Sequence, residues 1–557
     1  MSVILSINGQ SIEATAGLSL FDHAESMGID VPTSCHKQGK CKECMVEVVE
    51  GMDALSAVAE PERHLKGKFR LSCQTFVTAE CGEVRCHTMR RGQMRIEREA
   101  FGLPVNTGQV ELDPAVTRDG DCILIDGVEV ERSRGPIHGI AMDLGTTTVV
   151  MRFFDLESGE LIADTSFENP QRFGGAEVMS RIAYDTDHPG KLLMRTLAGY
   201  LSHAIEKSPI DPKTIYEMVV VGNSTMRDLF FRQSVYSIGQ SPYQSITEIE
   251  MAGGKRTTTS LVQSGLRSLL PIHPKARVYG APIVSGHVGA DAAACMLAID
   301  LAHEDRLVAV MDIGTNTELI VGNRHRVLAA SCPAGPAFEG GAIACGMPAL
   351  DGAIEEVAIG EDGRFDLGVI GGGKPQGICG SGLVDALSEL LRTGRMNERG
   401  RFDDDLFKYD MGRIALYRGD GRSEDQDIFL LESDVNELAQ AKGANVAGLH
   451  AVFSSYGIDF DDIDVFYLAG GFGRHIDVEA SKRIGLIPSL DSSRIVRAGN
   501  IAIEGATIAL LSRAKRRELE DLVKKVEHCR LETHPSFFEF FVEGCQFKPV
   551  EPMPCAR

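Results

Sequence analysis

The sequence predicts a multidomain fold in which a small α+β domain at the N-terminus precedes a longer α/β region built from two related halves. Its 557 residues suit three or four domains, at about 150 residues per domain. Cysteines with metal-ligand spacing lie near the N-terminus, and one strand-and-glycine motif occurs twice in the rest of the chain. A motif repeated in this way indicates a duplicated architecture.

The charge balance excludes two classes of partner. The chain carries 57 Lys+Arg and 79 Asp+Glu, which gives a net charge of −22. Nucleic acids and anionic membranes attract clustered basic residues, so we expect no nucleic acid and no membrane as partner. Hydrophobic residues at 43% and charged residues at 24% are typical of globular domains.

The 14 cysteines can be interpreted once the compartment is predicted. The opening residues MSVILSINGQ lack the basic segment and the unbroken apolar run of a signal peptide. No later run reaches the roughly 18 apolar residues that cross a bilayer. We therefore predict a cytoplasmic protein with reduced thiols, in which clustered cysteines bind metal rather than form disulfides.

Four cysteines have the spacing of [2Fe–2S] cluster ligands. Cys35, Cys41 and Cys44 lie in one loop with gaps of five and two residues, and Cys73 follows after 28 more. Three thiolates from one loop and a distant fourth are the arrangement in plant-type ferredoxins, where the first gap is four residues. The gap of five is similar to that of vertebrate-type and related bacterial ferredoxins.

Two alternatives remain for these cysteines. Zinc also binds four thiolates, but structural zinc sites usually pair two CxxC motifs, and the sequence has one. Cys81 and Cys86 are close enough to compete as the fourth ligand, and Cys73 is preferred because LSCQT resembles the closing motif of ferredoxins. The ten cysteines outside the quartet are expected to be buried, inert thiols.

The residues around the cysteines predict a β-grasp ferredoxin domain. VILSING ends in the hairpin signal Asn8-Gly9, and the returning segment reads as a second strand. LSLFDHAESMG has helical apolar spacing, and CMVEVVEG after the cysteine loop alternates as a strand does. Strand, hairpin, strand, helix, cysteine loop and strand are the order of a β-grasp ferredoxin.

The repeated motif is DxGTxT, found within residues 140–150 and 309–321. In each copy an apolar strand ends at an Asp, and a Gly-Thr turn leads to a second strand. Gly145 and Gly314 allow close approach of the backbone to an anion, and successive N–H groups with Thr hydroxyls supply donors. Asp143 and Asp312 are then placed as ligands of Mg²⁺, direct or through water.

A third glycine motif follows a buried strand at 465–476. Its residues Gly470, Gly471 and Phe472 could border an adenine or a ribose. Each motif alone is weak, since a tight strand-to-helix turn also explains the glycines. In this order they resemble the superfamily of acetate kinase, sugar kinases, heat-shock chaperones and actin, over residues 138 to about 515. The resemblance implies a two-lobed, actin-like ATPase domain.

Two more segments are weaker candidates. Residues 377–387 read as a glycine turn and a helix from Leu383, so that Gly380 and Ser381 could bind nucleotide or merely begin the helix. Gly222 to Thr225 end a buried strand and could reach the cleft or cap a helix. No GxGxxG motif follows a strand, so a built-in NAD or flavin reductase is not expected.

The whole fold prediction is a β-grasp [2Fe–2S] ferredoxin domain, a short linker and a two-lobed ATPase domain. The predicted domains are the ferredoxin domain at 1–95, a linker or small connecting region at 96–137, ATPase lobe I at 138–306, ATPase lobe II at 307–515, and a closing helix and segment at 516–557. The aromatic cluster in the last of these is expected in a packed strand–helix unit.

The combination of domains resembles the reductive activators of corrinoid proteins. The matching motifs are the cysteine quartet, MDLGTTTVV, ENPQRFGGAEVMSRI, GNSTM, MDIGTNTEL, ICGSGLVDAL and LAGGFG. Members of that family are ATP-dependent iron–sulfur proteins that return Co(II) of a corrinoid protein to methyl-accepting Co(I). The resemblance implies a [2Fe–2S] cluster, ATP with Mg²⁺, a corrinoid protein partner of a methyltransferase system and an external electron donor. A homodimer is compatible with it.

The resemblance also implies roles for individual residues. Asp143 and Asp312 position Mg²⁺ and the attacking water, and Gly470, Gly471 and Phe472 border the adenosine. The residues that hold phosphates are Thr146, Thr147, Thr315 and Asn316. We assign no role to the stretch at 168–182. The cobalamin is expected to stay on the partner, because no DxHxxG pattern occurs in this chain.

Two other functions fit part of the sequence. A small-molecule kinase regulated by its ferredoxin domain would hydrolyse ATP only with a sugar or carboxylic acid, for which no sequence feature is evident. An electron carrier with a nucleotide-binding switch would bind ATP with almost no hydrolysis.

Overall fold

The computed structural model describes residues 2–89, 103, 110–403, 412–419, 427–471 and 476–551. These residues divide into two compact units. The first holds the chain up to residue 89, Glu111–Ala281 and Ala509–Arg513, and the second holds Pro282–Ile508 and the chain from Ala514 onward. This division after Ala281 differs from the domain boundaries expected above, which stay predictions.

The N-terminal part of the first unit is a five-stranded sheet with one helix. The elements are β1 (Val3–Ile7), β2 (Gln10–Glu13), α1 (Leu20–Ser26), β3 (Met45–Glu50), β4 (Phe69–Leu71) and β5 (Gly82–Thr88). The strand order is β2-β1-β5-β3-β4, with β1 parallel to β5. Asn8 and Gly9 both have positive φ, 51° and 82°, as a two-residue hairpin requires. The β-grasp prediction is confirmed.

A small antiparallel sheet lies within the segment predicted as a linker. Its strands are β6 (Val116–Asp119), β7 (Cys122–Ile125) and β8 (Val128–Arg132). Arg277 pairs with Asp126, and Lys275 Nζ donates to the carbonyl oxygen of Val130 at 2.8 Å. These bonds attach the small sheet to the larger sheet that follows it in the chain.

The rest of the first unit is built on a six-stranded sheet. Its strands are β9 (His138–Leu144), β10 (Thr148–Asp155), β11 (Leu161–Glu168), β12 (Ile215–Val221), β13 (Leu261–Ser264) and β14 (Arg277–Gly280). Its helices are α2 (Val178–Asp187), α3 (Leu192–Lys207), α4 (Ser224–Phe230), α5 (Ile246–Ala252) and α6 (Gly265–Ser268). The strand order is β11-β10-β9-β12-β14-β13.

The second unit contains a sheet of the same design. Its first five strands are β15 (Val308–Asp312), β16 (Thr317–Asn323), β17 (Arg326–Cys332), β23 (Val465–Ala469) and β24 (Ile495–Gly499), and β25 (Val526–His528) adds a sixth. The order is β24-β23-β15-β16-β17-β25. In both sheets an antiparallel three-stranded meander is followed by two strands parallel to its first strand. The duplication predicted from the repeated motif is therefore confirmed.

Two smaller sheets and seven helices complete the described part of the second unit. The strands are β18 (Ala353–Ile359), β19 (Phe365–Val369), β20 (Gly377–Ile378), β21 (Arg413–Tyr417) and β22 (Ile428–Leu431). The helices are α7 (Ala290–Ala298), α8 (Gly380–Arg392), α9 (Glu432–Tyr456), α10 (Val478–Ile484), α11 (Ile501–Leu511), α12 (Arg513–Leu522) and α13 (Phe537–Gly544). The residues Ala509–Arg513, where α11 ends and α12 begins, belong to the first unit.

The C-terminal segment is packed as expected for a strand–helix unit. Strand β25 extends the second large sheet alongside β17. Phe537 and Phe541 of α13 pack against the hydrophobic core formed around α8 and α9. Of the helices in the described ranges, none has both the length and the apolar character that a membrane span needs.

Candidate cluster and nucleotide sites

The cysteine loop between α1 and β3 is wound tightly around the thiols. Four of its residues have positive φ, namely His36, Lys37, Gly39 and Lys42. Backbone N–H groups of Gln38, Lys40 and Cys41 bond to the thiol of Cys35. Such a concave run of N–H groups stabilises negative charge, which suits thiolate ligands.

The four predicted ligands meet as two thiol pairs. Cys35 is hydrogen-bonded to Cys41 and Cys44 to Cys73. Cys44 and Cys73 are buried, whereas Cys35 and Cys41 are half-buried. A [2Fe–2S] cluster takes four thiolates, two at each of its irons, so this donor set fits the cluster.

The four thiols differ in how readily they ionise: the pKa values of Cys73 and Cys35 are lowered, whereas the hydrogen bond to Cys73 raises the pKa of Cys44 and burial raises that of Cys41. The hydrogen bond from Cys44 lowers the pKa of Cys73 to about 6, and Gln74 and the N–H of Gly39 add to the effect. Burial would raise the pKa of Cys35, but bonds from backbone N–H groups lower it below its ordinary value. Because the thiolate is the form that binds metal, both residues are prepared for this role.

The two competing cysteines lie elsewhere. Cys81 is exposed just before β5, and Cys86 is buried within that strand opposite Ile7. Burial raises the pKa of Cys86 to about 12. The structure thus brings Cys73, and neither alternative, to Cys44, although the ligand assignment itself stays a prediction.

The expectation that the remaining ten cysteines are buried is wrong for four of them. Cys81 is exposed, and Cys122, Cys345 and Cys545 are half-buried, because they lie in turns or at the edge of small elements. Cys555 lies outside the described residues. Every described cysteine is a free thiol.

A buried ion pair supports the segment that carries Cys73. Glu62 Oε1 accepts bonds from Arg70 Nε and from the backbone N–H of Leu71, both at 2.9 Å. The hydroxyl of Thr75 donates to the same oxygen at 3.0 Å. The charge of Glu62 therefore fixes the chain on either side of Cys73.

The first nucleotide candidate is the turn from Asp143 to Thr148 between β9 and β10, called here the first hairpin. The N–H of Gly145 donates to the carbonyl oxygen of Thr148 at 3.0 Å. A β-carbon on Gly145 would lie 2.6 Å from that oxygen, so the turn needs glycine. Thr146 is buried, and Thr147 follows it before β10 begins.

Three polar side chains hold the first hairpin, and of these the sequence indicates only Asn223, within the segment Gly222 to Thr225. Asn169 Nδ2 donates to the carbonyl oxygen of Gly145 at 2.8 Å, and Arg181 Nη2 donates to that of Thr146 at 2.6 Å. Asn223 Nδ2 donates to Thr146 Oγ1 at 2.8 Å. Asn169 directly follows β11, and Asn223 follows Gly222 at the end of β12. A polar residue at the end of a strand was the feature of the sequence that could have identified both.

The helix-cap interpretation of the segment after β12 is confirmed at Asn223, and a role of the segment in the nucleotide cleft stays a prediction. Its side-chain oxygen accepts the N–H of Met226 at 2.9 Å and so caps α4. Its amide nitrogen at the same time bonds to Thr146 of the first hairpin. One residue therefore begins a helix and contacts the predicted phosphate turn.

The second nucleotide candidate is the turn from Asp312 to Thr317 between β15 and β16, called here the second hairpin. Cys295 of α7 donates its S–H to Asp312 Oδ2 at 3.4 Å. The hydroxyl of Thr315 donates to Glu339 Oε2 in a short bond. Gly314 and Asn316 occupy the remaining positions of the turn, as the sequence predicts.

The third motif lies directly beside the second hairpin. Gly470 has φ of 118°, and a β-carbon there would lie 2.2 Å from the carbonyl oxygen of Ile313. Gly222, which follows β12 in the first unit, is packed in the same way against the carbonyl oxygen of Leu144, at 2.4 Å. Gly470 is thus the counterpart of Gly222. Gly471 follows in a turn, and Phe472 lies outside the described residues.

The two weaker candidates are the first residues of α8. The helix begins at Gly380, not at Leu383 as expected, because the backbone of the glycine turn is already helical. Ser381 is buried, and its Oγ lies 3.4 Å from Cys379 Sγ. This burial favours the helix-start interpretation of Gly380 and Ser381, and a nucleotide role for them stays a prediction.

The chain combines a ferredoxin fold that has paired thiols with a duplicated α/β fold that has two glycine hairpins. This combination defines an iron–sulfur protein joined to an ASKHA-type domain, the fold of acetate and sugar kinases, heat-shock chaperones and actin. Family models agree with this class along most of the chain. Residues 5–78 match the 2Fe-2S iron-sulfur cluster binding domain, residues 138–304 match the RACo middle region, and residues 306–556 match the C-terminal domain of RACo, the ASKHA domain.

Relatives and a solved structure extend the match to the whole length. The corrinoid activation enzyme RamQ of Eubacterium limosum is 30% identical, with 98% of this chain and 99% of that protein covered. The [Co(II) methylated amine-specific corrinoid protein] reductase of Methanosarcina barkeri is 24% identical, over 73% and 76%. The structure of a reductive activator for corrinoid,iron-sulfur protein covers 99% of both chains, with 26% identity and a TM-score of 0.73.

This chain belongs to the family of corrinoid reductive activators. The resemblance drawn from the sequence motifs is confirmed, and so are the ferredoxin and ASKHA domains. The named relatives are an activation enzyme and a reductase, which agrees with the expectation of an enzyme.

Proposed function

We propose that this protein is an ATP-dependent reductive activator that passes one electron to Co(II) of a corrinoid protein and restores the methyl-accepting Co(I) state. The observation that carries the proposal is the presence, in one chain, of two thiol pairs in a β-grasp fold and two DxGTxT hairpins in a duplicated fold. The corrinoid substrates named for the relatives support the choice of acceptor.

Cys35, Cys41, Cys44 and Cys73 would hold a [2Fe–2S] cluster, which supplies one-electron transfer when bound. The half-buried pair Cys35 and Cys41 is nearer to solvent than the buried pair Cys44 and Cys73. A partner would therefore exchange electrons most closely on the side of Cys35 and Cys41.

ATP gives the reaction a driving force that a ferredoxin alone lacks. Plant-type ferredoxins have potentials near −400 mV. For an acceptor of still lower potential, the equilibrium ratio of reduced to oxidised acceptor falls tenfold for every 59 mV of difference. Coupling the transfer to ATP binding and hydrolysis would offset this unfavourable difference. The expected electron source is an external donor.

The hairpin residues are assigned to the nucleotide as follows. Asp143 and Asp312 would bind Mg²⁺, whose ligands are commonly carboxylates and water. The proposed phosphate ligands are Gly145, Thr146, Thr147, Gly314, Thr315 and Asn316. Gly470, Gly471 and Phe472 would border the adenosine. The buried guanidinium of Arg181, bonded to the first hairpin, adds positive charge beside this turn.

The proposed partners are a corrinoid protein of a methyltransferase system and the electron donor, in the cytoplasm. A homodimer is compatible with the family. The net charge of −22 makes nucleic acids and anionic membranes poor partners.

The cobalt spectrum tests this function directly. The protein is purified without oxygen, a chemical reductant and a Co(II) corrinoid protein are added, and the spectrum is followed with and without ATP. ATP should be needed for Co(I) to accumulate. No effect of ATP with any corrinoid protein encoded nearby would refute the proposal, and turnover that instead requires a sugar or carboxylic acid would indicate a kinase.

A further inference from the structure

The two hairpins differ in what bonds to the first threonine of each. Thr146 and Thr315 both follow the hairpin glycine. Thr146 Oγ1 accepts a bond from the amide of Asn223 at 2.8 Å. Thr315 Oγ1 instead donates its proton to the carboxylate of Glu339. The same backbone position therefore has a hydrogen-bond donor as neighbour in one hairpin and an acceptor in the other.

This difference changes what each threonine can bind. A hydroxyl has one proton to donate and two lone pairs. Because Thr146 accepts the amide, its proton can be donated to a phosphate oxygen. The proton of Thr315 is directed to Glu339, and a carboxylate repels a phosphate oxygen at short range. A phosphate oxygen at the second hairpin would thus be bound through backbone N–H groups rather than through the Thr315 hydroxyl, and the place beside Glu339 suits a water molecule.

The backbone around Glu339 is fixed by close packing and hydrogen bonding, so its side chain starts from a defined position. It ends a short turn in which Phe338 is 1% exposed, and its N–H donates to the carbonyl oxygen of Pro336 at 2.9 Å. The next residue, Gly340, has φ of 80°, and a β-carbon there would lie 2.7 Å from the backbone nitrogen of Met347. The backbone on both sides of Glu339 is therefore fixed.

The carboxylate of Glu339 is directed to the second hairpin. Its Oε2 bonds to Thr315, and its Oε1 lies 3.9 Å from the point where a β-carbon on Gly314 would stand. Glu339 is half-buried, so water can reach it. Gly314 therefore places no side chain between the hairpin backbone and Oε1.

We propose that Glu339 is a catalytic residue of ATP hydrolysis that orients the attacking water and accepts its proton. This inference rests on the proposed function and adds a residue to it. As the water oxygen bonds to the γ-phosphorus, the bond from that phosphorus to the bridging oxygen of ADP breaks. ADP leaves with the electron pair, and the water proton passes to Glu339, which later releases it to solvent.

Asp312 and Glu339 have different contacts, and these indicate different roles. Asp312 ends β15 and accepts the S–H of Cys295 from a buried helix, so its carboxylate is held within the sheet edge. Glu339 belongs to a separate turn and contacts the hairpin through Thr315. Asp312 is therefore the metal-binding group, and Glu339 is the proton acceptor.

The test is the substitution Glu339→Gln in the full chain, because glutamine keeps the acceptor for Thr315 and loses only the charge. Single-turnover hydrolysis of Mg·ATP is measured together with the affinity for Mg·ADP. Hydrolysis should fall about 100- to 10,000-fold, the usual range for general acid–base catalysis, while the affinity for Mg·ADP stays within about threefold. Glu361→Gln, at an exposed turn, is the control and should leave both unchanged.

Two results with Glu339→Gln would overturn the inference. One is hydrolysis by Glu339→Gln at a rate close to that of the unmodified protein. The other is loss of Mg·ADP affinity in parallel with hydrolysis, which would make Glu339 a nucleotide- or metal-binding residue. Glu339→Asp keeps the base with a shorter reach and should retain more activity than Glu339→Gln. Equal loss in the two variants would also contradict a proton-accepting role.

The proposed function can fail separately. If the unmodified protein hydrolyses ATP but forms Co(I) equally well without it, the activator proposal is wrong, and the Glu339 measurement still decides the role of that residue. If Co(I) formation depends on ATP and Glu339→Gln hydrolyses normally, only the inference about Glu339 is wrong.

Discussion

The threonine after the hairpin glycine contacts an amide donor in the first hairpin and a carboxylate acceptor in the second. Asn169, Arg181 and Asn223 all donate to the first hairpin. Glu339 accepts from the second. The two turns share a sequence motif and a place at the end of the first meander strand. In each, a glycine from a neighbouring strand end packs against the carbonyl oxygen of the residue that follows the Asp.

This comparison shows how a duplicated fold can divide one reaction between its halves. The backbone frame is repeated, because the spacing of Asp, Gly and Thr and the packing of Gly222 and Gly470 are the same in both units. The chemistry differs, because Gly471 stands at the position that corresponds to Asn223, and Glu339 comes from a turn after β17. The Thr146 hydroxyl is thereby suited to donate to phosphate, whereas the Thr315 hydroxyl is directed to Glu339, beside the proposed water.

The largest expected effect comes from removal of a cluster ligand, which should destroy the cluster and leave nucleotide binding at the hairpins unchanged. Cys41→Ser should abolish the visible spectrum of the [2Fe–2S] cluster, since a serine hydroxyl is a poor substitute for the thiolate. Affinity for Mg·ADP, measured by calorimetry, should stay unchanged. A normal visible spectrum would exclude Cys41 as a ligand. Cys81→Ser serves as the matched control and should keep the cluster.

Asp312→Ala should give the next largest effect and should fall on hydrolysis. Removal of a Mg²⁺-binding carboxylate at the second hairpin is expected to lower the rate of ATP hydrolysis about 1000-fold. The visible spectrum of the cluster should be retained, because Asp312 and the cysteines lie in different compact units. Unchanged turnover would refute the Mg²⁺ role.

Asn223→Ala should affect binding rather than rate. Loss of the amide that orients Thr146 is expected to weaken the affinity for Mg·ADP about tenfold, equivalent to about 1.4 kcal/mol. The rate of hydrolysis at saturating ATP should change little. Asn323→Ala, at the end of β16 opposite to the second hairpin, is the control. A rate loss in Asn223→Ala without weaker binding would remove the distinction between the hairpins.

Cys295→Ala should give the smallest effect. Its S–H orients Asp312, and groups that orient a metal ligand typically change metal affinity about tenfold or more. The Mg²⁺ concentration for half-maximal hydrolysis should rise about tenfold, whereas Cys295→Ser, which keeps a donor, should remain close to the unmodified protein. If serine and alanine behave alike, the thiol contributes packing and not orientation.

The backbone of both hairpins could be predicted from the sequence, but the neighbours of their threonines could not. Local spacing predicted the strand, Asp and glycine turn, since these depend on adjacent residues. Asn223 lies 77 residues from Thr146, and Glu339 lies 24 residues from Thr315. Such contacts depend on strand order, which periodicity does not specify. The threonines and the segment that holds Asn223 were therefore predicted, whereas Glu339 and the contact between Asn223 and Thr146 were not.

The cluster loop was easier to predict for the same physical reason. Cys35, Cys41 and Cys44 are close in sequence, and the ferredoxin resemblance supplied the choice of Cys73 over Cys81 and Cys86. The start of α8 was placed three residues too late, because glycines were taken as a turn although Gly380 is already helical. Local glycine content does not reveal whether tertiary contacts extend a helix into it.

Coupling of ATP hydrolysis to cobalt reduction is the central claim, and the rate of Co(I) formation by Asp312→Ala tests it most directly. The variant is supplied with reductant, a Co(II) corrinoid protein and ATP, after its visible spectrum has shown a complete and reduced cluster. We expect that Co(I) does not accumulate, although the cluster is reduced. Formation of Co(I) at the rate of the unmodified protein would contradict this expectation.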